Sequence, residues 1–147
     1  MRDHIRQRYR HMKEQTIKAV IDNLNEALAF IDDYLDEAGF PMKKKMQVDL
    51  AVEELFVNIA SYAYAPGTGD VTIRLELDDD KTKAFMTFID SGVPYDPLAK
   101  EDPDITLSSE ERQIGGLGIF LIKKYMDDVI YKFEDGCNKL TLVKNFE

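Results

Sequence analysis

Val71-Thr-Ile-Arg-Leu-Glu-Leu77 alternates apolar and polar side chains, Asp78-Asp-Asp-Lys81 follows it, and Ala84 to Ile89 resumes an apolar strand pattern. A period of two puts one row of side chains in a core and the other in water, and the acidic stretch between the two runs carries turn-forming chemistry. Together they predict a β-hairpin, with Asp78–Asp80 as its solvated turn rather than a metal site.

Upstream, Val48, Val52, Leu55, Phe56, Ile59 and Ala63 form one apolar stripe at about 100° per residue, which predicts a helix from about Lys43 to Tyr64. Pro66, Gly67 and Gly69 end it. Further back, Ile17, Ala19 and Val20 suggest a short strand within Lys13–Val20, and Asp22 or Asn23 can cap a helix carrying Leu24, Leu28, Ile31 and Leu35. Gly39 and Pro41 stop that helix. Downstream, Ser91 to Gln113 holds Pro94, Pro97 and Pro103 without periodicity, a loop of a length usually tied to function or disorder. A helix from Leu117 to Met126 follows, then strands near Val129–Phe133 and Leu140–Val143 joined at Asp135-Gly136. The expected fold class is α+β, a two-layer sandwich with helices on one face of a mixed, largely antiparallel sheet.

The chain has 147 residues, which suits one domain with a real core. No apolar run reaches bilayer length and the charged N-terminus has no secretory apolar segment, so no membrane partner and a cytoplasmic location are expected. The single Cys137 builds no disulfide framework, and His4 and His11 with it make no zinc-ligand cluster. A net charge of −9 disfavours direct nucleic-acid binding, which needs clustered Lys and Arg. Arg2, Arg6, Arg8, Arg10 and Lys13 do crowd the start, so residues 1–12 read as a basic arm ahead of a domain at 13–147.

Three separated segments carry candidate chemistry. Glu54, Asn58 and Ser61 share the helix side opposite the apolar stripe. A carboxamide oxygen is a neutral, hard ligand suited to Mg²⁺, and a carboxylate beside it can accept a proton. Asp90 ends an apolar strand and is followed by Ser91-Gly92, where glycine allows a sharp turn and close approach. A carboxylate there can accept a hydrogen bond from an exocyclic amine, the handle that separates adenine from guanine. Gly115-Gly116-Leu117-Gly118 opens a helix, so its free N–H groups and positive helix end suit phosphate, although it is neither a Walker A loop nor a Rossmann fingerprint. Singly, these features also fit a solvated helix face, an ordinary turn and a loop-to-helix junction. Independent local accidents would not be expected to supply metal ligand, amine acceptor and phosphate cradle in that order.

Glu54-Leu-Phe-Val-Asn58, Asp90-Ser-Gly92 and Gly115-Gly-Leu-Gly118-Ile-Phe-Leu-Ile resemble the N, G1 and G2 boxes of the GHKL ATPases, the superfamily of histidine kinases, gyrase-type ATPases and the heat-shock chaperone. The chain more closely resembles the bacterial anti-sigma-factor serine/threonine kinases, from about Asn23 to Lys144, including Val-Pro-Tyr-Asp-Pro after Gly92 and Asp-Gly-x-Asn-x-Leu-Thr-Leu near the end. That resemblance implies a Bergerat fold, ATP and Mg²⁺ as cofactors, and a sigma factor and an anti-anti-sigma-type protein as partners, with homodimerisation left open. It places Asn58 on Mg²⁺, Asp90 and Gly92 at the adenine, Gly115, Gly116, Leu117 and Gly118 at the phosphates, Glu54 as catalytic base and Asp96–Ile114 as a lid. Glu53 is the other carboxylate at hand, but it lies about 100° around the helix from Glu54 and off the Asn58 ridge. The sequence departs from the pattern at Pro94, where many members have a second glycine, and at Cys137-Asn138, near a common Thr.

Three activities fit these motifs: a serine/threonine kinase that also sequesters a sigma factor, a nucleotide-dependent binding module without transfer, and a detached histidine-kinase catalytic domain. His4 and His11 sit in a basic arm without the context of a phospho-accepting dimerisation helix, which weighs against the third.

Overall fold

The computed structural model describes residues 12–96 and 116–147. Strand β1 (Lys13–Lys18) leads through a 3-10 turn (Ile21–Asn23) into helix α1 (Leu24–Glu37), then helix α2 (Met42–Tyr62). The hairpin β2 (Asp70–Leu77) and β3 (Lys83–Asp90) follows, then helix α3 (Gly116–Tyr125) and a second hairpin, β4 (Asp128–Glu134) and β5 (Cys137–Asn145). The sheet order is β1-β2-β3-β5-β4. Each of the four described pairings is antiparallel, within the α+β class expected.

The strand periodicity sets the layers. Val71, Ile73 and Leu75 of β2, Ala84, Met86 and Phe88 of β3, and Leu140 and Leu142 of β5 are buried beneath the helices. The opposite face carries cross-strand hydroxyl pairs, Thr16 with Thr72 at 2.7 Å and Thr87 with Thr141 at 2.9 Å. Helix α2 buries Val48, Val52, Leu55, Phe56 and Ile59 as its stripe requires, with Ala51 besides, and Ala63 packs against the core from just past its end. Fully covering a side chain such as Phe56 or Leu142 contributes roughly 1.5–3 kcal/mol, so this layer contact fixes the helix on the sheet.

Local chemistry ends the elements. Gly39 has φ of 86°, and the N–H groups of Gly39 and Phe40 bond the carbonyls of Asp36 and Leu35, closing α1 as glycine there allows. Asp135 and Gly136 both have positive φ, 56° and 76°, as a two-residue hairpin demands. The Asp78 carboxylate accepts from the Thr82 N–H at 2.6 Å, the Thr82 hydroxyl at 2.5 Å and the Lys83 N–H at 2.9 Å, so it organises the first hairpin turn. At the start of α1 the capping expectation is corrected. Asn23 holds the cap position without a side-chain cap bond, because the 3-10 turn turns its carboxamide back to donate to the Lys18 carbonyl at 2.9 Å.

Two polar contacts, one half-buried and one buried, cross this architecture. In the α1–α2 seam Asp32 faces Asp49, beside the Lys45–Asp36 ion pair at 2.5 Å. The buried Oδ1 of each facing aspartate meets no donor among the described residues. On β5, Lys144 is 3% exposed, and its ammonium donates to Gln47 Oε1 of α2 at 2.8 Å and to the Tyr125 carbonyl that ends α3. Among the described residues no helix is long and apolar enough to cross a membrane. The basic arm, but for Met12, and the expected lid, but for Asp96, lie outside the described residues.

Candidate functional site

Asp90 is in phase with Ala84, Met86 and Phe88, so the alternation that fills the core also drives this carboxylate inward, to 6% exposure. A charge so placed requires hydrogen bonds. Its Oδ1 accepts from the Gly92 N–H at 2.9 Å and from Asn138 Nδ2 at 2.9 Å, across the β3–β5 register that sets Asp90 opposite Asn138. Its Oδ2 accepts no hydrogen bond from the described residues.

The turn after Asp90 is seated directly on the end of α2. The Val93 N–H donates to the Ala63 carbonyl at 3.0 Å. A Cβ added to Gly92 would lie 2.1 Å from that carbonyl oxygen and 2.6 Å from its carbon. Only a residue without a side chain lets the two backbones meet so closely. Tyr64 closes the same corner, its hydroxyl donating to the Asp70 carbonyl at 2.6 Å and accepting from the Ser91 N–H at 2.7 Å. Gly69 makes room for that ring, since a Cβ there would come within 2.4 Å of it.

Along α2, Asn58 stands about 7–8 Å of helix rise before the Ala63 contact and Glu54 about 6 Å further back. Both are partly buried, whereas Glu53 is exposed. Burial, and then the neighbouring Glu53 charge, raise the Glu54 pKa above the ordinary glutamate value. Helix α3 packs against α2, and its first turn contains Gly116, Leu117 and Gly118. Gly115 falls outside the described residues. The Ala63 contact thus brings the Asp90–Gly92 turn to the helix that bears Glu54 and Asn58, while α3 flanks that helix with its glycine-rich start.

A family profile described as the histidine kinase-like ATPase domain matches residues 17–144. The chain belongs to that family. As a histidine kinase-like ATPase domain it binds ATP. It is similar to the serine/threonine-protein kinase BtrW of Bordetella bronchiseptica, 28% identical over 82% of this chain and 84% of that protein. It is also similar to the serine-protein kinase RsbW of Listeria monocytogenes, 29% identical over 67% of this chain and 65% of that protein. Among solved structures, the RsbU and RsbW domains of a Mycobacterium tuberculosis protein superpose with a TM-score of 0.63 at 16% identity, covering 91% of this chain and 32% of that one. The SiaB–SiaC complex from Pseudomonas aeruginosa gives a TM-score of 0.52 at 17% identity, covering 97% and 94%. Both structural likenesses concern the fold.

In the sequence Asn138 stands in the terminal family motif and as a departure from a common Thr, Tyr64 and Gly69 mark the end of a helix, and Tyr131 falls within a strand; none of them carries a site role there. A signal for Asn138 was present, because it falls in phase with Leu140 and Leu142 on the core face of β5. A carboxamide in an otherwise apolar row needs partners, and the partners are those of the site.

Proposed function

We propose that this ATPase domain, at residues 13–147 behind a basic arm at 1–12, is a cytoplasmic serine/threonine protein kinase of the anti-sigma-factor kind. It moves the γ-phosphoryl of Mg-ATP to a serine or threonine of an anti-anti-sigma-type protein and holds a sigma factor as its other partner. The observation that carries this reading is the buried Asp90, tied through Oδ1 to Gly92 and Asn138 and left with Oδ2 to accept an exocyclic amine.

In this proposal adenine offers its amine to Asp90 Oδ2, where guanine would oppose a carbonyl oxygen to the carboxylate. The N–H groups of Gly115, Gly116, Leu117 and Gly118 hold the phosphates at the positive end of α3. Asn58 would hold the magnesium ion through its carboxamide oxygen, a neutral, hard ligand. When bound, the ion would supply positive charge against the transferring phosphoryl group. Glu54 takes the proton of the partner's hydroxyl as that oxygen bonds the γ-phosphorus. The bond from phosphorus to the β–γ bridging oxygen breaks, and ADP leaves. The raised pKa of Glu54 makes it the stronger base for this step.

Calorimetry with ATP and GTP, and radiolabel transfer to a partner captured with Mg-ATP, test the proposal together. ATP preference and an acid-stable phosphoester are expected. An acid-labile phosphoimidazole would reassign the chain to histidine phosphorylation, and ATP binding without transfer would leave a nucleotide-dependent binding module.

A further inference from the structure

Asn138 is 7% exposed, and both ends of its side chain are bonded. Nδ2 donates to Asp90 Oδ1 at 2.9 Å, to the Val93 carbonyl at 2.9 Å and, more distantly, to the Gly92 carbonyl at 3.5 Å. Oδ1 accepts from the Tyr131 hydroxyl at 2.5 Å and from the Tyr95 N–H at 3.1 Å. The orientation of the amide is dictated rather than chosen, because a backbone N–H can only donate and a carbonyl can only accept. Tyr95 therefore meets oxygen and Val93 meets nitrogen, which leaves an N–H, and not a second acceptor, facing Asp90.

We propose that Asn138 is a positioning residue for purine selection: it fixes the Asp90 carboxylate and the turn from Gly92 to Tyr95 as one unit, so that Oδ2 points at the base. The inference rests on the reading that Asp90 receives the adenine amine. A carboxylate otherwise turns readily about its last torsion, since that torsion is broad. With Gly92 and Asn138 both on Oδ1, turning would break two hydrogen bonds at once. A fixed acceptor rewards an amine and penalises a carbonyl oxygen, and a movable one does less of both. Tyr131 acts one step further out, holding the Asn138 amide from β4. Asn138 is thus assigned a role in selecting the base without touching it.

The experiment measures ATP and GTP affinities by calorimetry for the wild type, Asn138→Ala, Tyr131→Phe and Asp90→Ala, each checked by circular dichroism. Asn138→Ala should lower the ATP-to-GTP affinity ratio by about tenfold, which corresponds to about 1.4 kcal/mol. Tyr131→Phe, which removes one hydroxyl, should lower it by roughly two- to fivefold, less than the loss of a whole hydrogen-bonding side chain. Asp90→Ala should abolish the preference altogether. A merely structural role would weaken both nucleotides alike, so an unchanged ratio in Asn138→Ala overturns the proposal. Should that variant not fold, an unchanged ratio in Tyr131→Phe overturns it. If Asp90→Ala keeps the preference, the base reading itself is lost, and the two failures are told apart by that one variant.

Discussion

Asp49→Asn should stabilise the protein at about pH 8 and leave it nearly unchanged at about pH 4, because the change removes a charge that folding disfavours. Burial first, then the hydrogen bond and charge of Asp32, push the Asp49 carboxyl up to about 7 from an ordinary 3.8, against a smaller opposing pull from Lys45. Asp36 adds repulsion from one turn along α1. The folded protein holds a proton there that the unfolded chain has released, so over that interval stability falls as pH rises. Linkage of about 1.4 kcal/mol per pH unit bounds the loss at about 4 kcal/mol. The seam is partly open to water, which screens the repulsion, and about 1–2 kcal/mol is the expected gain. In a chain of this length that is about 2–8 °C in Tm. The replacement amide can also donate to the Asp32 carboxylate. Thermal melts of wild type and variant across this pH range provide the assay. Equal Tm differences at every pH, or a less stable variant in alkali, would refute a proton held by Asp49 in the folded protein.

Glu54→Gln should keep Mg-ATP binding and partner capture while phosphoryl transfer falls by at least about a hundredfold, the scale of general-base catalysis; undiminished transfer would remove Glu54 from that role. Since burial and Glu53 raise its pKa, transfer by the wild type should fall on acidification at a pH above the ordinary glutamate value, which a pH–rate profile reads directly. Asn58→Ala should weaken Mg²⁺-dependent nucleotide binding and transfer together, and calorimetry with and without the ion would expose a variant that binds as the wild type does. Gly92→Ala forces a Cβ against the Ala63 carbonyl and should lower stability by about 1–3 kcal/mol while weakening ATP binding, with chemical denaturation as the check.

The two hairpins, the α2 stripe and the Gly39 stop were legible because in each the deciding interaction lies within one turn or one pair of neighbouring strands. Asp90 and Gly92 were legible for a related reason: a carboxylate and a glycine at the end of an apolar strand break the local pattern where they stand. What could not be read locally depends on register between distant segments. Asp90 meets Asn138 only because β5 inserts between β3 and β4, and Asp49 meets Asp32 only because two helices pack at one particular rotation. Lys144 is a charged residue near the end of a strand, yet alternation carries it to the core face, between the helices. The Asn23 cap failed through local competition, since a carbonyl of the preceding strand offered the same amide a partner.

The ammonium of Lys144 on the last carbonyl of α3, with Lys123 and Lys124 in its final turn, neutralises the negative pole of that helix. The first turn of that helix, at Gly116, carries no acidic side chain, in a chain whose overall charge is −9. A polyphosphate approaching this protein therefore feels two fields of opposite sign: a long-range repulsion from the acidic surface, and an attraction from peptide dipoles that fades within about one helical turn. Salt screens the first far more than the second, because only the first acts over a Debye length. Association of nucleotide should thus speed up as ionic strength rises, so that the protein captures its anion at close quarters without steering it from afar.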